Sequence, residues 1–190
     1  IGSNSTFNPK CTLYLSTQRM DNIRQAYLWA NTLRDYDSDV QGPDLDLICI
    51  PEWPEHERQV LVFPEHSLTL VLGMDYVGEV KMGFLRMAMW LAKKQGMLSL
   101  HAGSKKIRAQ QQNGKVAEFG TLLFGLSGTG KTTHSCHEHG LDLEEEGIEI
   151  LQDDIVFLQK DGSALGVEQG FYIKTEGITA SNQAIIYNGL

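Results

Sequence analysis

Residues 125–133 read Gly125-Leu126-Ser127-Gly128-Thr129-Gly130-Lys131-Thr132-Thr133. This is the G-x-x-x-x-G-K-T spacing of a phosphate loop, and each residue type answers to the chemistry of a nucleoside triphosphate. Gly125, Gly128 and Gly130 permit backbone angles that turn successive N–H groups toward phosphate oxygens. Lys131 supplies a full cation for the terminal phosphates, and the Thr132 hydroxyl can ligate Mg²⁺. An apolar strand over residues 121–124 runs straight into the loop. A helix is expected to follow it, adding the partial positive charge of its N-terminus. The pattern specifies the triphosphate and is silent on the phosphoryl acceptor.

Twenty positions beyond Thr133 stand Asp153 and Asp154, after the apolar run 148–151. Paired carboxylates at a strand end are what a Mg²⁺–nucleotide site requires of a Walker B segment. Neighbours on an extended strand point to opposite faces, so one of the two is expected to bind the primary metal directly. A second group, His134, Cys136, His137 and His139, superficially suggests zinc. On the loop's own helix they form two i,i+3 pairs about 200° apart, which cannot converge on one ion. The acidic run 142–146 reads as a solvated loop.

The elements that must position these groups follow from periodicity. Residues 11–16 alternate as a strand, and Asp21 is expected to cap a helix with Ile23, Ala26, Tyr27 and Ala30 on one face. Residues 35–43 form a loop. Residues 45–50 suit a buried strand, and 59–63 and 68–72 two more, parted by the Pro64-Glu65-His66 turn. From Gly78 the period becomes helical through Val80, Phe84, Met87, Ala88 and Leu91, until Gly96 stops it. Residues 97–101 return to strand, and the polar stretch 104–114 reads as a surface loop. His101 and Asp154 would each end a strand, at the C-terminal edge of a sheet where open α/β folds place ligands.

Composition narrows the classes. The 190 residues carry a net charge of −8, which disfavours a non-specific nucleic-acid binder that must neutralise phosphates. Three widely spaced cysteines, Cys11, Cys49 and Cys136, fit reduced thiols in a cytoplasmic protein better than a disulfide framework. No apolar run approaches the roughly 20 residues that span a bilayer. No membrane and no nucleic-acid partner is expected.

From about Leu68 to Leu190 the chain resembles the ATP-dependent phosphoenolpyruvate carboxykinases. Tyr76-Val77-Gly78-Glu79-Val80-Lys81 is similar to the family's Tyr-x-Gly-Glu-x-Lys-Lys substrate segment, and Leu100-His101 to its Met-His segment. The phosphate loop matches residue for residue. Asp153-Asp154 resembles the family's Gly-Asp-Asp, and residues 168–175, Glu-Gln-Gly-Phe-Tyr-Ile-Lys-Thr, resemble Glu-Gly-Gly-Cys-Tyr-Ala-Lys-Thr. Ile186-Tyr187-Asn188 continues the match without a gap.

The resemblance implies an α/β fold of the carboxykinase-like phosphate-loop type with a mixed sheet. Residues 1–66 would belong to an N-terminal substrate domain, and 67–190 to the nucleotide- and metal-binding core of a larger protein. It implies a gluconeogenic lyase that converts oxaloacetate and ATP to phosphoenolpyruvate, CO₂ and ADP with Mg²⁺ and Mn²⁺. Lys131 and Thr132 would hold the phosphates and Mg²⁺. His101 and Asp154 would ligate Mn²⁺, with Asp153 just behind. Lys174 would meet the γ-phosphate and Lys81 the transferring phosphoryl group. Tyr76, with Gly78 and Glu79, would face the substrate.

Three positions depart from the family pattern. Met82 stands where the family has a lysine ligand to Mn²⁺, Gln169 replaces a glycine, and the family's substrate arginines and adenine pocket have no counterpart. Arg86 and Arg108 are the nearest basic residues in the middle of the chain. Two other readings remain open at this point. His101-Ala102-Gly103-Ser104, the phosphate loop and the Asp pair also resemble HPr kinase/phosphorylase. Met82 and the missing arginines are compatible with a non-catalytic ATP-binding relative.

Overall fold

The computed structural model describes residues 7–126, 128–141, 145–169, 178–181 and 187. The chain divides into two compact units: Ile1–Ser99 with Phe157–Gly170, and Leu100–Val156 with Phe171–Leu190. Both are built on sheets, one mixed and one antiparallel.

The first unit contains β1 (Lys10–Leu15), α1 (Met20–Ala30), β2 (Asp44–Ile50), β3 (Gln59–Phe63), β4 (Leu68–Leu72) and α2 (Val77–Lys94). Its sheet runs β1-β2-β4-β3, with β1, β2 and β4 parallel and β3 antiparallel. Leu45, Leu47 and Cys49 alternate into the core from β2, as a period of two requires. The helix α2 covers them with Val80, Phe84, Leu85, Met87, Ala88 and Ala92. Trp29 of α1 stacks on Phe84 with ring centroids 5.2 Å apart. In the same unit β9 (Ala164–Gly166) follows a turn in which Gln159 N–H donates to Ser163 O, and Phe157 meets Phe7 edge-on at 5.0 Å.

The helix α1 differs from the sequence expectation. It begins at Met20, one residue before the expected cap Asp21. Ile23 and Tyr27 are exposed, while Asn22 and Gln25 are buried. The apolar periodicity pointed to the wrong face because these amides have specific partners. Asn22 donates to Ser16 O and Glu52 Oε1, and Gln25 to Cys49 Sγ. The amide nitrogens are partnered, although the buried amide oxygens of both residues have no partner among the described residues.

The second unit is organised on β5 (Leu98–Gln110). Residues 104–110, expected as a loop, instead continue this strand, and the turn is confined to residues 111–115. The reason is pairing on both edges. On one side β6 (Val116–Phe124) is antiparallel, from Ala102 opposite Phe124 to Gln110 opposite Val116. On the other lies β7 (Gly147–Gln152), with a register shift between Ser104 and Lys105. The next strand, β8 (Ile155–Leu158), starts along the same edge, where Ala102 N–H donates to Asp154 O at 2.9 Å. No helix among the described residues is long and apolar enough to cross a membrane.

Phe84 is 1% exposed and ties α2 to both α1 and the sheet. Phe84→Ala should therefore cost about 3–5 kcal/mol of unfolding free energy, because the emptied space cannot close between rigid elements. Urea denaturation followed by circular dichroism measures it; a loss below about 1 kcal/mol, typical of a surface site, would place Phe84 outside the core.

Candidate nucleotide and metal site

Antiparallel pairing brings three distant stretches of sequence together in the second unit. Because Ala102 faces Phe124, the early part of β5 lies beside the start of the phosphate loop. Because β7 and β8 share the opposite edge, the interruption between them places Asp153 and Asp154 next to Ala102. His101 is thus within a continuing strand, and the Asp pair sits in a break between two strands. The sequence had suggested a strand end for each: His101 is not at one, while the Asp pair directly follows Gln152, the last residue of β7.

The loop itself is shaped by its glycines. Gly128 and Gly130 adopt φ of +79° and +89°, a left-handed backbone that side-chain-bearing residues rarely take. Thr129 closes the turn, its hydroxyl donating to Leu126 O at 2.8 Å. Lys131 donates to Gly125 O and Leu126 O, at 3.0 and 3.1 Å, which keeps its ammonium over the loop. Leu126 is 81% exposed and Thr133 is exposed too, so the loop faces solvent.

The helix that follows, α3 (Lys131–Ser135), is only five residues long. Its dipole is correspondingly small, so any pull on an anion at the loop would come chiefly from the loop amides and Lys131. The shortness also revises the histidine geometry. Only His134 lies on the helix; Cys136 is its C-cap, and His137 and His139 come after it.

Two contacts join the residues expected from the sequence to meet metal ions. Thr132 donates its hydroxyl to Asp153 Oδ2 at 3.2 Å, and His101 Nε2 lies 3.3 Å from Asp154 Oδ1. The adjacent carboxylates therefore serve different partners, as opposite-facing neighbours should. Asp153 Oδ1 is buried and, like the hydroxyl of the fully buried Ser135, has no hydrogen-bond partner among the described residues. A hard cation suits both contacts, through oxygen donors at Thr132 and Asp153 and a nitrogen–oxygen pair at His101 and Asp154. No three His, Cys, Asp or Glu side chains converge among the described residues, so each contact offers two protein donors.

Gly103 makes the arrangement possible. A Cβ there would lie 2.0 Å from Ser135 Oγ and 3.8 Å from Asp153 Oδ1. A side chain there would force the Ser135 hydroxyl to turn aside and press on its Cβ.

The remaining expected residues lie in the first unit or outside the description. Lys81 is buried on α2 and donates to Glu168 Oε1 at 2.8 Å; Glu168 is equally buried. Sequence reasoning gave Glu168 no role, although its place in the resembling segment was a signal. Tyr76 precedes α2, and its ring lies over Gly78, where a Cβ would meet ring atoms at 2.6 Å. Glu79 Oε2 accepts from both terminal nitrogens of Arg86 at 3.0 Å, which engages that arginine. Arg108 lies on β5 opposite Glu118. Ser127, Tyr172 and Lys174 lie outside the described residues.

A family profile for phosphoenolpyruvate carboxykinase matches residues 39–190. The chain belongs to the ATP-dependent phosphoenolpyruvate carboxykinase family. The enzyme of that name from Aeropyrum pernix is 48% identical over 136 residues, covering 71% of this chain and 27% of that protein. Those from Dictyostelium discoideum and Zea mays are 34% and 33% identical over 121 residues each, 64% of this chain and 19% and 16% of theirs. The chain spans about a quarter or less of the length of these carboxykinases.

Burial pushes the Asp153 carboxyl above its usual range, and the Asp154 charge adds to this, while the Thr132 hydroxyl, Lys131 and His101 pull the other way. A carboxyl with a raised folded-state pKa opposes folding at neutral pH. That cost shrinks as pH falls through the folded value and vanishes below the unfolded value of about 3.9. Asp153→Asn keeps an oxygen for Thr132 and removes the charge. It should raise the melting temperature at pH 7, with parent and variant converging toward pH 4 in thermal melts. A variant less stable than the parent at pH 7 would contradict the sign.

Proposed function

We propose that this chain is the nucleotide- and metal-binding part of an enzyme that converts oxaloacetate and ATP to phosphoenolpyruvate, CO₂ and ADP. The observation that carries the reading is the pair of contacts Thr132–Asp153 and His101–Asp154 beside a phosphate loop, in a chain of the carboxykinase family. Residues 1–66 then belong to the N-terminal substrate domain. Substrate arginines and an adenine pocket come from other parts of a longer protein. The reaction is a cytoplasmic, gluconeogenic one on small-molecule substrates.

In this reading Gly125, Gly128 and Gly130 shape the N–H cradle, with Leu126, Ser127, Thr129 and Thr133 completing the loop. Lys131 draws the β- and γ-phosphates, and Lys174 the γ-phosphate. Thr132 and Asp153 would hold Mg²⁺, and His101 and Asp154 would hold Mn²⁺. Bound there, the two cations would supply positive charge for the phosphates and for the enolate oxygen that decarboxylation leaves. Lys81 meets the transferring phosphoryl group, and Glu168, which accepts from its ammonium, orients it. Tyr76, Gly78 and Glu79 form the substrate segment, in which Tyr76 faces a carboxylate.

The direct assay supplies ATP, Mg²⁺, Mn²⁺ and oxaloacetate and measures phosphoenolpyruvate. Formation of the product is expected from the full-length protein, and its absence would remove the carboxykinase reading. Lys131→Ala should weaken MgATP binding about 100-fold or more, equivalent to ~2.7 kcal/mol, without altering the fold. Calorimetric titration that finds parent-like affinity would sink the nucleotide assignment.

Met82 bears separately on Mn²⁺. A thioether is a poor donor for so hard a cation, so Met82→Lys should tighten Mn²⁺ binding by returning a nitrogen. Electron paramagnetic resonance titration with ATP present reads the change. No Mn²⁺ binding by either form would end the resemblance at the nucleotide.

A further inference from the structure

Behind the phosphate loop, outside every motif that suggested function, lies a buried lysine. Lys105 is 1% exposed on β5. Its ammonium donates to His134 O, to His137 O at 3.3 Å and to the Nε2 atom of His139. An ammonium has three donors, and these three acceptors use them all. Among the described residues no carboxylate pairs with it. Burial accordingly pushes the Lys105 ammonium down from its ordinary value, and only the Cys136 thiol opposes this.

Two of the acceptors are main-chain carbonyls where the chain leaves α3. A five-residue helix has no stability of its own, since the nucleation cost is never recovered over so short a length. Something outside the helix must fix its place, and Lys131 and Thr132 are its first two residues. The third acceptor is brought in at a conformational cost. His139 is a non-glycine residue with φ of +62°, and its N–H donates to His137 Nδ1 at 2.9 Å. That local turn presents the His139 ring to the ammonium.

We infer that Lys105 is a positioning residue for the phosphate loop. By holding the exit of α3 against β5 through His134 O, His137 O and His139, it keeps Lys131 and Thr132 in register with Asp153. The inference rests on the nucleotide reading and extends it to a residue that touches no ligand. It requires His139 to be an acceptor, hence neutral at Nε2. Partial desolvation of the ring and the charges of Lys105, His137 and His134 lower the His139 pKa, against a hydrogen bond to the His134 main chain that raises it.

The test uses calorimetric titration of MgATP into the full chain and four variants. Lys105→Met keeps the length of the side chain and loses its donors. It should weaken binding about tenfold or more, or ~1.4 kcal/mol. The exposed His139 offers a second route that leaves the core intact. His139→Leu should weaken binding several-fold, and His139→Gln, whose amide oxygen can accept from the ammonium, should restore it. A merely structural lysine would lower the melting temperature without this acceptor-dependent pattern. Parent-like MgATP affinity in folded Lys105→Met overturns the inference. Should that variant not fold, equal affinities in His139→Leu and His139→Gln overturn it instead. Lys131→Ala serves as the reference for lost phosphate binding. Absence of MgATP binding by the unaltered chain sinks the nucleotide reading itself and this inference with it, so the two failures are distinguished.

Discussion

The site depends on a close approach of a strand and a short helix. At Gly103 of β5 one methyl group would displace the Ser135 hydroxyl of α3. That approach sets the distance between the loop end that carries Thr132 and the strand break that carries Asp153. The long strand β5 does the rest. Paired on both edges, it holds His101, the start of the glycine-rich loop at Gly125 and the Asp153–Asp154 pair around one stretch of its own backbone. A strand paired on both edges is a rigid element, so the candidate site is built on one although its glycine-rich part is a loop.

The same region carries groups that work against folding. Among the described residues, one Asp153 carboxylate oxygen is buried without a partner, and the buried Lys105 ammonium is met by neutral acceptors. In the other unit Lys81 and Glu168 form an ion pair that is removed from water on both sides. Desolvation makes such pairs weak sources of stability, while loss of one partner is severe. The apolar packing of α2 on β2 and β4 supplies stability that these sites do not. Uncompensated polar groups are retained where an arrangement is needed, and here they cluster around residues of the resembling motifs.

Much of this was legible in the sequence, and the reasons for the misses are physical. The strands β3 and β4 carry apolar, β-branched runs between turn residues, and both were placed at their observed bounds, 59–63 and 68–72. The phosphate loop declared itself through glycine spacing followed by Lys131 and Thr132. Residues 104–110 did not, because Ser104, Lys105, Lys106 and Arg108 look solvated while both edges of their strand are in fact paired. Asn22 and Gln25 misled for the same reason on α1. A polar residue is buried when a partner waits for it, and partners such as Ser16 O or His134 O are main-chain atoms that no side-chain pattern announces. Gly103 was visible as a letter, but its necessity appears only once Ser135 is seen against it.

The neighbouring carboxylates of Asp153 and Asp154 reach toward different partners from one peptide unit. Their Cα atoms are fixed about 3.8 Å apart by a planar bond that scarcely bends. Each residue keeps its own soft dihedrals, so the two side chains can turn independently, and the link between them is electrostatic: the Asp154 charge works against ionisation of Asp153. Substitutions at the two positions should therefore fail to add.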